Sequence, residues 1–86
     1  MITIELYGVA RMRAGRGQLR VDVPTLGQAC RRLGSCHPDL DGSAVDGDRV
    51  GPACRVSLNG DRFVSDPATT LADGDVLIWL SADVGG

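Results

Sequence analysis

Residues 69–86 read TTLADGDVLIWLSADVGG. Asp73, Gly74 and Asp75 tighten the chain into Val76, Leu77, Ile78, Trp79 and Leu80, a run that is apolar at every position. Such a strand is expected at the centre of a sheet with both faces covered. Ser81, Ala82, Asp83 and Val84 follow, and the sequence closes on Gly85 and Gly86. Two glycines add no packing and raise the entropic cost of ordering, so 81–86 is expected to be a flexible C-terminal tail. With 12 glycines among 86 residues the pair is weak evidence alone, and its weight comes from what precedes it.

Upstream of this strand, Cys54, Val56 and Leu58 alternate with polar residues, and Asn59-Gly60 turns the chain back through Arg62, Phe63 and Val64 as a hairpin. Asp66 and Pro67 break the returning strand. At the start of the sequence Ile2, Ile4 and Leu6 share one face of a strand, with Thr3, Glu5 and Tyr7 on the other. Leu19, Val21 and Val23 alternate with Arg20 and Asp22, so the first two strands are expected to pair across a solvated turn from Ala10 to Gly17. Thr25 opens the capping box TLGQ, and Leu26, Ala29, Cys30 and Leu33 recur at three and four, which predicts one helix with one apolar stripe ending at Pro38. Residues 39–52, with DGSAVDGDRVGP at their centre, are polar and read as a mobile loop within the domain.

Only one helix is then available to cover the last strand. If Val76, Ile78 and Leu80 face it, Leu77 and Trp79 lie on the open face beside the tail, where tryptophan is a common anchor for a partner. The alternative is that Trp79 is covered by its own neighbours, Tyr7 among them.

The 86 residues are 43% hydrophobic and 23% charged, which suits one globular domain over 1–86 and neither a disordered tail nor a membrane protein. No apolar run is long enough to span a bilayer, and the opening alternates like a strand where a leader would be basic and then apolar, so a cytoplasmic location is expected. Three cysteines, an odd number, fit a reducing compartment. Cys30 and Cys36, six apart on the predicted helix, are turned about 120° from each other, so core or boundary positions are expected in place of a metal site. His37, before Pro38, reads as a surface residue at the helix end.

Residues 1–35 carry six arginines against Glu5 and Asp22, whereas 59–86 carry Asp61, Asp66, Asp73, Asp75 and Asp83 against Arg62 alone. No aromatic residue interleaves the arginines and the net charge is −2, so nucleic acid is not expected as a partner. There is no phosphate-binding loop, and all nine basic residues are arginine.

Strand, strand, helix, strand, strand, strand with a Gly-Gly end resembles a β-grasp domain of the ubiquitin type: an α+β fold with a mixed sheet of about five strands and one main helix on one face. The residues ITIELYGVAR, HPDL, VSLNGDRF, TTLADGDVLIWL and the final VGG make the chain similar throughout to the MoaD/ThiS sulfur carriers, closer to the MoaD type. The resemblance implies a non-enzymatic carrier that binds no cofactor or metal itself. Its Gly86 carboxylate would be adenylated with ATP by an E1-like activating enzyme of the MoeB/ThiF type, then converted to a thiocarboxylate by a sulfur donor protein, with Gly85 easing passage of the tail. Partner contacts would come from Tyr7, Leu77, Trp79, Asp83 and Val84, on the open sheet face and the acidic C-terminal half. Molybdopterin synthase, whose large subunit would receive the tail in molybdenum cofactor biosynthesis, is the first expectation. Carriers for thiamine, cysteine, tRNA thiolation or secondary metabolism, a protein modifier joined to targets through Gly86, and a plain binding module remain alternatives.

Overall fold

Alternation of Ile2, Ile4 and Leu6 with Thr3 and Glu5 produces β1 (Ile2–Leu6), whose apolar side chains are buried. In this computed structural model, which describes residues 1–82, a helix follows, α1 (Gly8–Ala14), and then β2 (Gln18–Val21). The first two strands do pair antiparallel, Ile2 with Val21 and Ile4 with Leu19. The connection between them is not the expected open turn. Ala10 is fully buried and Ala14 packs on the core, four residues apart and so on one face of a helix. Gly15 ends it in the left-handed region at φ 74°, donating its N–H to the Arg11 carbonyl. Two alanines among arginines carry too little apolar signal for this helix to stand out in the sequence.

Thr25 caps the main helix, α2 (Leu26–Cys36), its Oγ1 accepting the Gln28 N–H at 3.3 Å. Leu26, Ala29, Cys30 and Leu33 form its buried stripe, and His37 closes its end. Residues 39–52, expected as a mobile loop, are instead built into the domain. A 3₁₀ turn (Pro38–Leu40) leads to a small ribbon of β3 (Val45–Asp46) and β4 (Arg49–Val50), and Leu40, Ala44 and Val45 are fully buried. These three side chains fill one end of the core, which outweighs the polar composition around them. Backbone also closes on backbone there: a Cβ on Gly51 would lie 2.2 Å from the Ser43 carbonyl oxygen.

β5 (Cys54–Leu58) and β6 (Arg62–Val64) form the expected hairpin, with Asn59 at φ 57° and Gly60 at φ 73°. The last strand, β7 (Val76–Ser81), lies between β1, to which it is parallel, and β5, to which it is antiparallel. The five-stranded order is β2-β1-β7-β5-β6, with α2 on one face: an α+β β-grasp fold, as the sequence predicts.

The facing of β7 is the reverse of the expectation. Leu77 and Trp79 are both 0% exposed, whereas Val76, Ile78 and Leu80 are half-buried on the other face. Trp79 sits in register with Leu6 and Val56, and its Nε1–H donates to the Ala44 carbonyl at 2.9 Å. The indole is thus covered from within residues 39–52, the stretch expected from its polar composition to be a mobile loop. Leu77 and Trp79 are core residues and not partner anchors.

At the start of β7, Asn59 ties the hairpin to the strand. Its Oδ1 accepts the Val76 N–H at 2.8 Å and its Nδ2 donates to Asp75 Oδ1 at 3.0 Å, while Asp75 Oδ2 accepts the Ala72 N–H at 2.8 Å. The bonds from Ala72 and Asn59 hold the Asp75 carboxyl below its usual range.

Two outcomes are expected. Trp79→Phe removes the bond to Ala44 and leaves unfilled volume, so it should destabilise by about 1–3 kcal/mol in urea unfolding followed by circular dichroism. Because the Asp75 carboxyl titrates lower in the folded than in the unfolded chain, its stabilisation is present above the unfolded pKa and is lost as pH falls through the folded one. Asp75→Asn should therefore flatten part of the acid limb of the stability profile below about pH 5, measured as the urea midpoint at each pH.

Candidate functional site: the strand exit and the open sheet face

β7 delivers the chain out of the sheet between the start of α1 and the start of β5. Tyr7 N–H donates to the Trp79 carbonyl at 3.0 Å, Val9 N–H to Ser81 Oγ at 3.2 Å, and Ala82 N–H to the Ala53 carbonyl at 2.8 Å. Ser81 and Ala82, read from the sequence as the beginning of the tail, are thus held by the fold, Ser81 as the last residue of β7. Gly8, at φ 60°, makes room for this exit: a Cβ there would stand 2.2 Å from Ser81 Oγ. Asp83, Val84, Gly85 and Gly86, the other expected site residues, lie outside the described residues.

The open face follows from the strand register. Glu5 and Ser57 flank Ile78, Thr3 flanks Val76, Arg55 flanks Leu80, and Phe63 lies across from Ser57. Phe63 is 55% exposed, and the Arg55 guanidinium stands 3.9 Å from its ring centroid. Tyr7 is 43% exposed and donates its hydroxyl to Glu5 Oε1 at 3.0 Å. That bond and the nearby Glu5 charge raise the Tyr7 phenol above its ordinary pKa of 10.0. Tyr7 therefore belongs to this surface, as expected, while Val76, Ile78, Leu80, Phe63 and Arg55 were not picked out. Period-two geometry would have placed the first three together on this face had the facing of β7 been known.

Two acidic residues of the expected docking half lie away from the exit. Asp73 and Asp75 stand before β7, at the opposite end of the sheet from Ser81, and both are engaged: Asp75 as described and Asp73 with the Met1 ammonium. That ammonium holds the Asp73 carboxyl below its ordinary range. Nearer the exit are Arg55 on β5 and Arg11 on α1.

Cys30 and Cys54 are buried and Cys36 is exposed, and burial raises the Cys30 thiol to about 12. Among the described residues no group of three or more His, Cys, Asp or Glu is placed to hold a metal ion. No helix among them is long and apolar enough to cross a membrane.

No family model matches the chain, and no curated protein matches it in sequence. Solved structures do. SAMP1 of Haloferax volcanii, small archaeal modifier protein 1, superposes with a TM-score of 0.79 at 28% identity, covering 99% of this chain and 98% of that one. A chain of the BexX/CysO complex of Amycolatopsis orientalis matches over the whole of both chains at TM-score 0.80 and 21% identity. A putative molybdopterin converting factor, subunit 1, of Pyrococcus furiosus matches at TM-score 0.72 and 18% identity over 93% of this chain and 94% of that one. The fold is therefore that of the ubiquitin-like proteins. The resemblance read from the sequence holds at the level of the fold, a β-grasp shared with these neighbours.

Gly8→Ala forces a methyl group into Ser81 at a backbone angle that alanine disfavours. It should destabilise by about 1–3 kcal/mol and shift the amide resonances of Ser81 and Ala82 more than those of β2.

Proposed function

We propose that this protein is a sulfur carrier whose reactive group is the Gly86 carboxylate. An ionised carboxylate resists nucleophiles, so it must first be activated. One carboxylate oxygen attacks the α-phosphorus of ATP and pyrophosphate leaves; the terminal sulfur of a persulfide on a donor protein then attacks the carbonyl and AMP leaves, giving an acyl disulfide, and a thiol attacks the donor's sulfur in that S–S bond, so that the thiocarboxylate leaves and the thiol and donor are joined as a disulfide. The chain carries no phosphate-binding loop, so activation falls to an ATP-dependent E1-like enzyme of the MoeB/ThiF type. The carrier is a substrate of that enzyme and not a catalyst.

The observation that carries this reading is end-to-end similarity to SAMP1 together with a strand that leads from the sheet centre into a Gly-Gly sequence. Glycine has no Cβ to clash in a narrow channel, which suits a tail that must thread into another protein's site. The half-buried Val76, Ile78 and Leu80, with Phe63, Arg55 and Tyr7, form the docking face in this proposal. The acceptor is the pterin precursor of molybdopterin synthase, with this chain as small subunit, following the resemblance to the MoaD type. A second reading is a protein modifier joined through Gly86 to target lysines. It is favoured by SAMP1 being, by name, a modifier.

The test is the intact mass of the protein from its native cytosol, with the C-terminal fragment sequenced. One oxygen replaced by sulfur at Gly86 is expected; an unmodified Gly86 that also forms no adenylate with ATP and candidate activating enzymes would overturn both readings. Target peptides bearing a Gly86 isopeptide remnant would select the modifier. Deleting Gly85 and Gly86 should abolish adenylation without moving the unfolding midpoint. Ile78→Arg should weaken binding to the activating enzyme by about tenfold or more, read by titration calorimetry, because it places a charge amid half-buried apolar side chains.

A further inference from the structure

Asn59 is the one asparagine of the chain, and Gly60 follows it. The hairpin needs this pair because both residues turn with a positive φ, 57° and 73°. The same pair is chemically labile. Asparagine is a thermolabile residue, and a following glycine has no Cβ to keep its backbone nitrogen away from the side-chain amide. Asn59, Gly60 and Asp61 are all exposed, so water reaches the turn.

Hydrogen bonds decide whether that chemistry can start. The Asn59 N–H donates to the Val76 carbonyl at 2.7 Å, and Asn59 Oδ1 accepts the Val76 N–H at 2.8 Å. Asn59 Nδ2 donates to Asp75 Oδ1 at 3.0 Å, and the Asp61 N–H closes the turn on the Leu58 carbonyl at 3.0 Å. Both polar atoms of the side-chain amide are therefore held by the start of β7. The Gly60 nitrogen can attack Cγ only after the amide leaves residues 75 and 76.

We infer that Asn59-Gly60 is a self-modification site latched by Asp75 and Val76, and that its deamidation turns the clasp at the start of β7 into a pair of opposed carboxylates. When the latch opens, the Gly60 nitrogen gives up its proton and bonds to Asn59 Cγ; the Cγ–Nδ2 bond breaks and ammonia leaves, taking up a proton. Water then adds to one carbonyl of the cyclic imide, and the bond from that carbonyl to nitrogen opens. The product is aspartate at 59 or its β-linked isomer, and no oxidant or reductant takes part. Neither product restores the latch. In the aspartate an oxygen stands where Nδ2 donated to Asp75 Oδ1, so a hydrogen bond becomes a contact of like charges. Asp61 and Arg62 line the same depression with opposite charges, and Asp73 is engaged by the Met1 ammonium, so the new charge is opposed chiefly by Asp75. In the isomer the main chain is longer by one methylene within a turn whose ends are fixed by the pairing of Leu58 with Arg62. The site governs how long the fold lasts and does not depend on the chemistry of Gly86.

The experiment is ageing of the full chain in mildly alkaline buffer, with the mass gained when an amide becomes a carboxyl located by peptide sequencing. Gln18 and Gln28 carry the other side-chain amides, and the Asp-Gly pairs at 41–42, 46–47 and 73–74 rearrange without a change of mass. The expected gain is confined to Asn59 and is at least about tenfold slower than in a capped peptide of residues 57–62. Asp75→Ala, which removes the acceptor of Nδ2, should speed it by about threefold to tenfold. Trp79→Phe, which weakens the core at a distance, should leave the rate unchanged, because the opening is local. Asn59→Asp makes one product directly: its urea midpoint should fall below that of the wild type at neutral pH, and the difference should shrink by about pH 4, where a proton shared between the two carboxyls restores a bond. The inference is overturned if the wild-type chain ages as fast as the peptide, if Asp75→Ala ages no faster than the wild type, or if Asn59→Asp matches the wild type at neutral pH. It is equally overturned if Trp79→Phe accelerates the reaction as much as Asp75→Ala, since the reaction would then belong to the unfolded chain.

Discussion

The hydrogen bond from the Trp79 indole to the Ala44 carbonyl joins the two parts of the molecule that most need each other. Trp79 lies on the central strand, and Ala44 lies in the segment that closes one end of the core. An indole N–H buried without a partner costs on the order of 1–3 kcal/mol, so the tryptophan can turn inward only where an acceptor waits. The 38–51 segment supplies that acceptor and the side chains of Leu40, Ala44 and Val45 around the ring. Once Trp79 faces inward, period-two alternation turns Leu77 inward and sends Val76, Ile78 and Leu80 to the open face.

From that one orientation follows the arrangement of the functional surface. The sheet separates the end where β7 begins from the end where β7 leaves it. At the first, Asn59 and Asp75 pin the hairpin to the start of β7, and the Met1 ammonium meets Asp73. At the second, β7 is held through Ser81 and Ala82 by Val9 and Ala53, with Gly8 leaving the space. Asp73 and Asp75, two of the five acidic residues of the expected docking half, are engaged at the first of these ends. What surrounds the exit is Tyr7, Arg11 and Arg55 with the apolar stripe of β7 between them.

The elements with strong periodicity were legible. β1, β2, the hairpin at Asn59-Gly60, the capped helix after Thr25 and the apolar last strand all stand where the pattern puts them, and their order suffices for a β-grasp. α1 was not legible, because its buried face is two alanines among arginines. Nor were β3 and β4, where three buried apolar residues are scattered through a stretch otherwise rich in glycine and aspartate. The surface of the candidate site was legible only in part: Tyr7 lies on it, while Leu77 and Trp79 do not, and the Gly-Gly sequence lies outside the described residues.

Sequence by itself determined the class of fold and the strand that leads into the terminal glycines, since both rest on local properties: alternation, capping and turn preference. It could not say which face of β7 is covered. A strand apolar on both faces carries no alternation to mark its inward side, so that choice belongs to whatever packs across it. Here the choice was made by residues distant along the chain, Ala44 and its neighbours, and only the tertiary structure brings them to Trp79.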